Sequence, residues 1–234
     1  MRDFSNRYIY VFSAVMVLIV AAVLSWTSLT LKPFQQKNIA IEMKRNILAS
    51  LGVSATAATA EEEYAKYIRE GVAVDASGEI ISGVAAEDLV IKAELAKPEE
   101  SRQLPVYKAE KDGKSFTVFP VAGQGLWGAI WGYVALESDM NTIAGVTFAH
   151  ASETPGLGAE IASLPFQAPF VGKQIFDESG NFVSISVMKP GSYTPDNHTV
   201  DAISGGTITS KALQKMLLNS LGAYKNYIAK NKIQ

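Results

Sequence analysis

Cysteine is absent from all 234 positions, and histidine occurs only twice. Without a thiol the chain has no disulfide, no cysteine-ligated iron–sulfur cluster, no cysteine nucleophile and no sulfur to which a flavin might be joined. Two histidines with no cysteine point away from a zinc site. Charge is sparse: charged residues make up 19% and the net charge is -2, so neither a broad basic surface for nucleic acid nor a strongly acidic tail is implied. No Gly-rich dinucleotide fingerprint follows a strand, so the chain lacks the usual feature for holding NADH. Internal repeats and low-complexity tails are missing too. What remains is 48% apolar, too hydrophobic for a disordered chain and long enough for one sizeable domain plus an anchor.

The longest uncharged run is YIYVFSAVMVLIVAAVLSWTSLTL, residues 8–31. As a helix at about 1.5 Å per residue it reaches ~36 Å, enough to span a bilayer with some tilt. Tyr8, Tyr10 and Trp26 sit near its ends, where interfacial aromatics belong. A cleaved signal peptide is the other reading, but the run exceeds a typical signal core. Arg2, Arg7 and the α-amine lie on one side of it, and Lys32, Lys37, Lys44 and Arg45 on the other. That count fixes no orientation, although a short basic N-tail is compatible with the bulk of the chain lying outside the cytoplasm.

Beyond the run, Pro33 is expected to end the span. Ile39, Met43, Ile47, Leu48 and Leu51 then recur at helical spacing and stop at Gly52, a good cap residue. The small-residue linker VSATAATA leads to a second expected helix over EEEYAKYIRE, with its acids where the helix dipole favours them. Then the period changes to two. VAVDASGEII predicts two short strands around DASG, and PVYKAEKDGKSFTVFPV a hairpin around KDGK. WGYVALESDMNTIAGVTFAHA predicts another hairpin around SDMN, and NFVSISVM a further strand. KALQKMLLNSLGAYKNYI places Leu213, Leu217, Leu221 and Tyr224 on one helical face. Hairpins with helices at the ends give an α+β fold: an N-terminal transmembrane helix, then a domain with an antiparallel sheet and flanking helices. The expected divisions are a tail over 1–7, the span over 8–31, a juxtamembrane helix and linker over 32–60, and the domain over 61–234.

Three segments carry chemistry. DAISGGTITS, from Asp201 to Ser210, combines Gly205 and Gly206 with the hydroxyls of Ser204, Thr207, Thr209 and Ser210 at the start of the last helix. A helix N-terminus offers unpaired N–H groups and partial positive charge, which suit a phosphate. Plain N-capping by Ser or Thr is the alternative. HASETPGLGAE, from His150 to Glu160, is a shaped loop after a strand. Glu153, Thr154, Leu157 and Gly158 there offer hydrogen bonds and an apolar face to a flat ring, or form an ordinary turn. His150 as a general base, or Glu153 with Glu160 as a catalytic pair, finds no second supporting feature. GQGLWG, from Gly123 to Gly128, sets three glycines around Trp127, either as an aromatic plate beside a ligand or as a tight β connection with a core tryptophan.

Together, and in this order along the chain, the single span, GQGLWG, HASETPGLGAEI and DAISGGTITS resemble the FMN-binding domain family. Within it the resemblance is to the C subunits of sodium-translocating NADH:quinone reductases, and it covers most of the chain. The family pattern is an Asp, two residues, then Ser/Thr-Gly-Ala-Thr. It falls here on Asp201, Ser204, Gly205, Gly206 and Thr207, with Gly206 where Ala is usual. The resemblance implies one FMN joined through a phosphoester to Thr207 by a magnesium-dependent flavin transferase that uses FAD. It also implies that Trp127, Glu153, Thr154, Leu157, Gly158 and Thr209 lie at the cofactor.

The implied protein is a single-pass component of a bacterial inner membrane complex, with its flavin domain on the periplasmic side. It would relay electrons among other membrane and peripheral subunits, which hold the NADH and quinone sites; no catalytic or metal-binding residue is expected on this chain. One uncharged membrane helix forms no ion path alone. Two rivals stand beside this: the G subunits of Rnf-type ferredoxin:NAD reductases, which share the motifs, and a non-redox membrane-anchored scaffold in which Thr207 merely caps a helix. The long region between the span and the GLW segment favours the quinone reductase.

Overall fold

The structure is a computed structural model that describes residues 5–232. Arg2 and the α-amine, counted above for orientation, lie outside the described residues. The chain divides into two compact units that meet between Met43 and Lys44.

The long helix α1 covers Asn6–Ser50; its residues up to Met43 fall in the first unit and those from Lys44 on are counted in the second. Among the described residues α1 is long and apolar enough to cross a membrane, with a mean hydropathy of 2.4 in its most apolar window. The expected break at Pro33 does not occur, and the helix runs through it. A proline removes only its own donor and crowds one carbonyl, and the long helix on either side supplies the remaining bonds. The helix ends where Gly52 predicts. Gly52 has φ +69°, its N–H donates to Ala49 O at 2.9 Å, and Val53 N–H donates to Leu48 O at 3.0 Å. Those are the two bonds of a glycine C-cap.

The second unit is α+β. Helix α2 covers Ala60–Tyr67. It is shorter than expected, because Ile68, Arg69 and Glu70 begin strand β1, Ile68–Val74. Ile68 is buried and pairs with Ala109, so sheet pairing overrides helix propensity there. Strands β2 (Ile80–Ala85), β3 (Leu104–Lys111), β4 (Lys114–Gln124), β5 (Ala129–Glu137) and β6 (Ile143–His150) complete a six-stranded antiparallel sheet, in the order β2-β1-β3-β4-β5-β6. The short helix α3, Ile91–Leu95, lies between β2 and β3. Each expected hairpin forms. Asp75 Oδ1 accepts from the N–H groups of Ser77 and Glu79 to shape the first turn. Asp112 and Gly113 take φ 53° and 72° in the second, the left-handed pair that a two-residue hairpin loop needs.

Helix α4 (Leu164–Gln167) precedes two three-residue strands, β7 (Ser186–Met188) and β8 (Thr199–Asp201). These pair in parallel as a separate small sheet, which the sequence pattern does not announce. Of the expected NFVSISVM strand only Ser186–Met188 forms a strand, as short as its partner, with Phe182 making an isolated antiparallel bridge to Phe176. The terminal helical segment splits at Tyr224 into α5, Thr207–Ala223, and α6, Lys225–Asn231. Tyr224 is buried, and its hydroxyl donates to Pro105 O at 3.0 Å, tying the break to the sheet. Leu213, Leu217, Leu221 and Tyr224 pack on the sheet face that carries Phe119, Val121 and Ile130. Helix and sheet approach closely at Gly123, where a Cβ would lie 2.8 Å from Met216 Cβ. This contact seats the middle of α5 on the end of β4.

Candidate functional site

Thr207 is the first residue of α5, and Gly206 is its N-cap with no side-chain hydrogen bond. The Thr207 hydroxyl therefore does not serve as the cap, and the plain N-capping alternative falls away. The other two threonine and serine hydroxyls in the first turn are engaged. Thr209 is 2% exposed and donates to Glu153 Oε2 at 2.6 Å. Ser210 is 1% exposed and accepts from Ile203 N at 3.1 Å. Thr207 and Ser204 stay exposed. Gly205, at φ +74°, makes the turn into the helix.

Glu153 joins the three motifs. It is 4% exposed, and its Oε1 accepts from Trp127 N at 2.8 Å while its Oε2 takes the Thr209 bond. Burial pushes this carboxyl up, but the Thr209 hydroxyl and the N–H groups of Trp127 and Gly128 outweigh it and hold it below the usual range. It is a fixed negative charge at neutral pH. The glycines around it leave it room. A Cβ at Gly125 would lie 2.5 Å from Glu153 Oε1, and one at Gly158 would lie 2.6 Å from Oε2 and 2.4 Å from Thr209 Oγ1. At Gly128 the same addition would meet Ser152 Oγ at 2.4 Å. His150 Nδ1 accepts from Glu153 N at 3.2 Å, so that ring nitrogen braces the loop.

Two depressions meet at Thr207. The larger is a cleft of about 910 Å³ between β7, the 188–190 segment and the outer face of α5. It is lined by Val187, Met188, Pro190, Ala202 and Ile203, with Lys189, Lys211 and Gln214 as polar groups and with Ser204, Gly205 and Thr207 at its end. The smaller is a groove of about 250 Å³ lined by Leu126, Glu153, Thr154, Leu157, Gly158, Gly205, Gly206, Thr207, Ile208 and Thr209. The cleft falls within the usual size of a small-molecule site, ~300–1,000 Å³.

The family model described as "FMN-binding domain" matches residues 125–222. Among curated proteins, the C subunits of Na(+)-translocating NADH-quinone reductases are similar to this chain. That of Haemophilus ducreyi is 31% identical over 233 residues, covering 92% of this chain and 90% of that one. That of Pseudomonas aeruginosa is 32% identical, with 89% of each chain covered. The crystal structure of the corresponding protein from Parabacteroides distasonis superposes with a TM-score of 0.79 at 40% identity, over 85% of this chain and 96% of that one. The crystal structure of Shewanella oneidensis NqrC gives 0.69 at 28% identity, over 82% and 98%.

The chain belongs to the C-subunit family of Na(+)-translocating NADH-quinone reductases. The segment matching the FMN-binding domain runs from the β4–β5 connection through most of α5 and so contains both depressions.

Of the residues expected at the cofactor, Ser204, Gly205 and Thr207 line the cleft, where Ser210 joins them, and Glu153, Thr154, Leu157, Gly158, Gly205, Gly206, Thr207 and Thr209 line the groove. Two stand apart. Trp127 enters through its backbone N–H, while its side chain is 66% exposed and Leu126 lines the groove instead. The tryptophan is therefore not a core residue of a β connection. Asp201 ends β8 and accepts from the Tyr193 hydroxyl at 3.1 Å, beside the cleft and outside its lining. Sequence reasoning missed Met188, Lys189, Pro190, Lys211 and Gln214. The signal for two of them was present: Lys211 and Gln214 follow Thr207 by four and seven residues, on one helical face.

Proposed function

We propose that this chain carries one FMN, esterified through its phosphate to Thr207, and relays electrons inside a membrane-bound sodium-translocating NADH:quinone reductase. The observation that carries the reading is the state of the hydroxyls at the start of α5. Thr207 is exposed where cleft and groove meet, whereas Thr209 and Ser210 are buried and bonded.

The residues fit the group. Thr207 is the first residue of α5, and a helix N-terminus offers unpaired N–H groups and a dipole that adds about 0.3–1 kcal/mol for a phosphate at an exposed terminus. Lys189 and Lys211 bring positive charge to the same cleft. Gly205 holds a left-handed turn with Leu157 close over it, a Cβ there falling 2.7 Å from Leu157 Cδ2. The charged Glu153 fixes the loop with Leu157 against the loop with Leu126, so protein hydrogen bonds set the shape of the groove. When bound, FMN supplies the electron-accepting and electron-donating ring; the protein positions it and sets its surroundings.

Attachment would be catalysed by a flavin transferase, replacing the Thr207 hydroxyl hydrogen by the FMN phosphoryl group and releasing AMP from FAD. Helix α1 is the anchor, and the flavin domain lies on the periplasmic side, where a covalent tether keeps a cofactor that no local pool replaces. NADH and quinone act on other subunits. The test is coexpression of the native chain and of Thr207→Ala with the transferase. Intact mass and in-gel fluorescence should show one FMN on the native chain and none on the folded variant. An FMN adduct persisting on Thr207→Ala would overturn the assignment.

A further inference from the structure

We infer that the surface around Thr207 docks an acidic protein, the redox partner that exchanges electrons with the flavin. The inference rests on the FMN reading of Thr207. Its first support is charge. Three lysines, Lys189, Lys211 and Lys215, gather on the Thr207 side of α5 against the one exposed carboxylate of Asp201, in a chain whose net charge is -2. Lys189 and Lys211 line the cleft with Thr207, and the exposed Lys215 lies one helical turn beyond Lys211. None of these three is in an ion pair among the described residues. One phosphodiester carries a single negative charge, so the surface stays basic after FMN is attached.

The second support is apolar exposure at the same place. Leu126, Trp127, Leu157 and Ile208 are 45%, 66%, 41% and 59% exposed. They come from three separate segments. Leu126, Leu157 and Ile208 line the groove that Thr207 shares, and Trp127 is fixed beside it through Glu153. An apolar cluster with a polar rim marks an interaction site, and here the rim is net positive, three lysines against Asp201. The rim selects a partner of opposite sign and steers its approach. The patch surrounds the flavin position, where an electron-transfer partner has to come close. Two depressions indent it, which suits a shaped protein surface better than a flat bilayer.

The test uses the full chain assembled in membranes with its complex, carrying Lys215→Glu, which lies outside both depressions. Stopped-flow mixing with NADH follows reduction and reoxidation of the flavin across a range of ionic strength, and in-gel fluorescence reports its attachment. Lys215→Glu should slow exchange about tenfold at low salt, the lower end of electrostatic steering. The gap should close as salt screens the pair. Lys215→Arg should behave as native. Native rates in Lys215→Glu, or a slowing equal at every salt concentration, would overturn the inference. So would loss of flavin from that variant, which would put Lys215 in attachment. Binding of the native chain, but not of Lys215→Glu, to phosphatidylglycerol vesicles through this domain would assign the surface to the membrane instead. Absence of covalent flavin from the native chain would refute the Thr207 reading itself, a separate result.

Discussion

Replacing Thr209 by valine tests whether Glu153 holds the site together. The substitution keeps the shape and deletes the hydroxyl that donates to Glu153 Oε2 at 2.6 Å. Both groups are buried, at 2% and 4% exposure, so water replaces the lost donor poorly. A hydrogen bond to a charged group contributes about 1.5–3 kcal/mol, and the loss at pH 7 should fall in that range. With a urea slope of about 2 kcal/mol/M, that is a midpoint shift near 1 M. The melting temperature should drop by roughly 2–4 °C per kcal/mol for a domain of this size.

The pH dependence sharpens the test. The Glu153 carboxyl is held below its ordinary value of 4.5 by its hydrogen bonds, against burial, which raises it. Such a group stabilises the fold above that ordinary value, and its contribution fades as pH falls through the lowered one. Once Glu153 is protonated, Thr209 makes only a neutral hydrogen bond, worth about 0.5–1.5 kcal/mol. The difference between native and Thr209→Val should therefore be larger at pH 7 than at pH 3. Urea titrations of the detergent-solubilised chain at both pH values measure it. A loss under about 0.5 kcal/mol at pH 7, the ordinary scatter of surface substitutions, or an identical loss at both pH values, would refute the reasoning.

Gly205→Val should abolish flavin attachment with Thr207 intact, because φ +74° strains a β-branched residue and its Cβ would fall 2.7 Å from Leu157 Cδ2; full flavinylation by intact mass would contradict this. Gly206→Ala should keep attachment, since φ is -101° and the methyl presses chiefly on the Ile203 side chain, at 2.9 Å from Cγ2 and 3.1 Å from Cβ, with Gly158 N at 3.4 Å; loss of the adduct would show that the cap tolerates no side chain. Leu157→Ala should shift the flavin absorbance or potential more than Trp127→Ala, because Leu157 lines the groove and the Trp127 side chain does not; the reverse order would place the ring against the tryptophan. Because the chain has no cysteine, Ser179→Cys in the exposed 177–181 turn gives a single label, and an impermeant maleimide should modify it in intact cells if the domain is periplasmic; labelling only after lysis would put the domain on the other side.

The antiparallel hairpins were legible because two signals coincide in each. Alternating side chains set the strands, and residues suited to the turn, such as Asp112 and Gly113, set the register. Gly52 was legible for the same reason, a helical apolar pattern that stops at a residue free to turn left-handed. The small parallel sheet was not. Ser186–Met188 and Thr199–Asp201 are too short to show a period, and ten residues separate them. Their pairing depends on tertiary support, as where Gln214 Oε1 accepts from Val187 N at 2.9 Å. The cleft that β7 walls was therefore not legible in the sequence, although its floor on α5 was partly visible.

The motifs themselves were legible, but the purpose of their glycines was only partly so. Read as sequence, Gly125, Gly128 and Gly158 suggest backbone left bare for a ligand. None of the three has a positive φ, and what each would collide with is a protein side chain: Glu153, Ser152 or Thr209. Gly125 and Gly158 leave room for a buried, charged carboxylate bonded on both oxygens, and Gly128 lets the 151–152 backbone close against the Trp127 segment. Gly205 is different: it needs its left-handed φ, and it lies under Leu157 next to the hydroxyl that matters. A glycine in a motif does not say what lies opposite it, so pattern alone ranks these four alike. Their consequences should separate. Alanine at Gly125 or Gly158 pushes on Glu153 and should loosen the domain whether or not flavin is attached, whereas a bulky residue at Gly205 acts first on attachment.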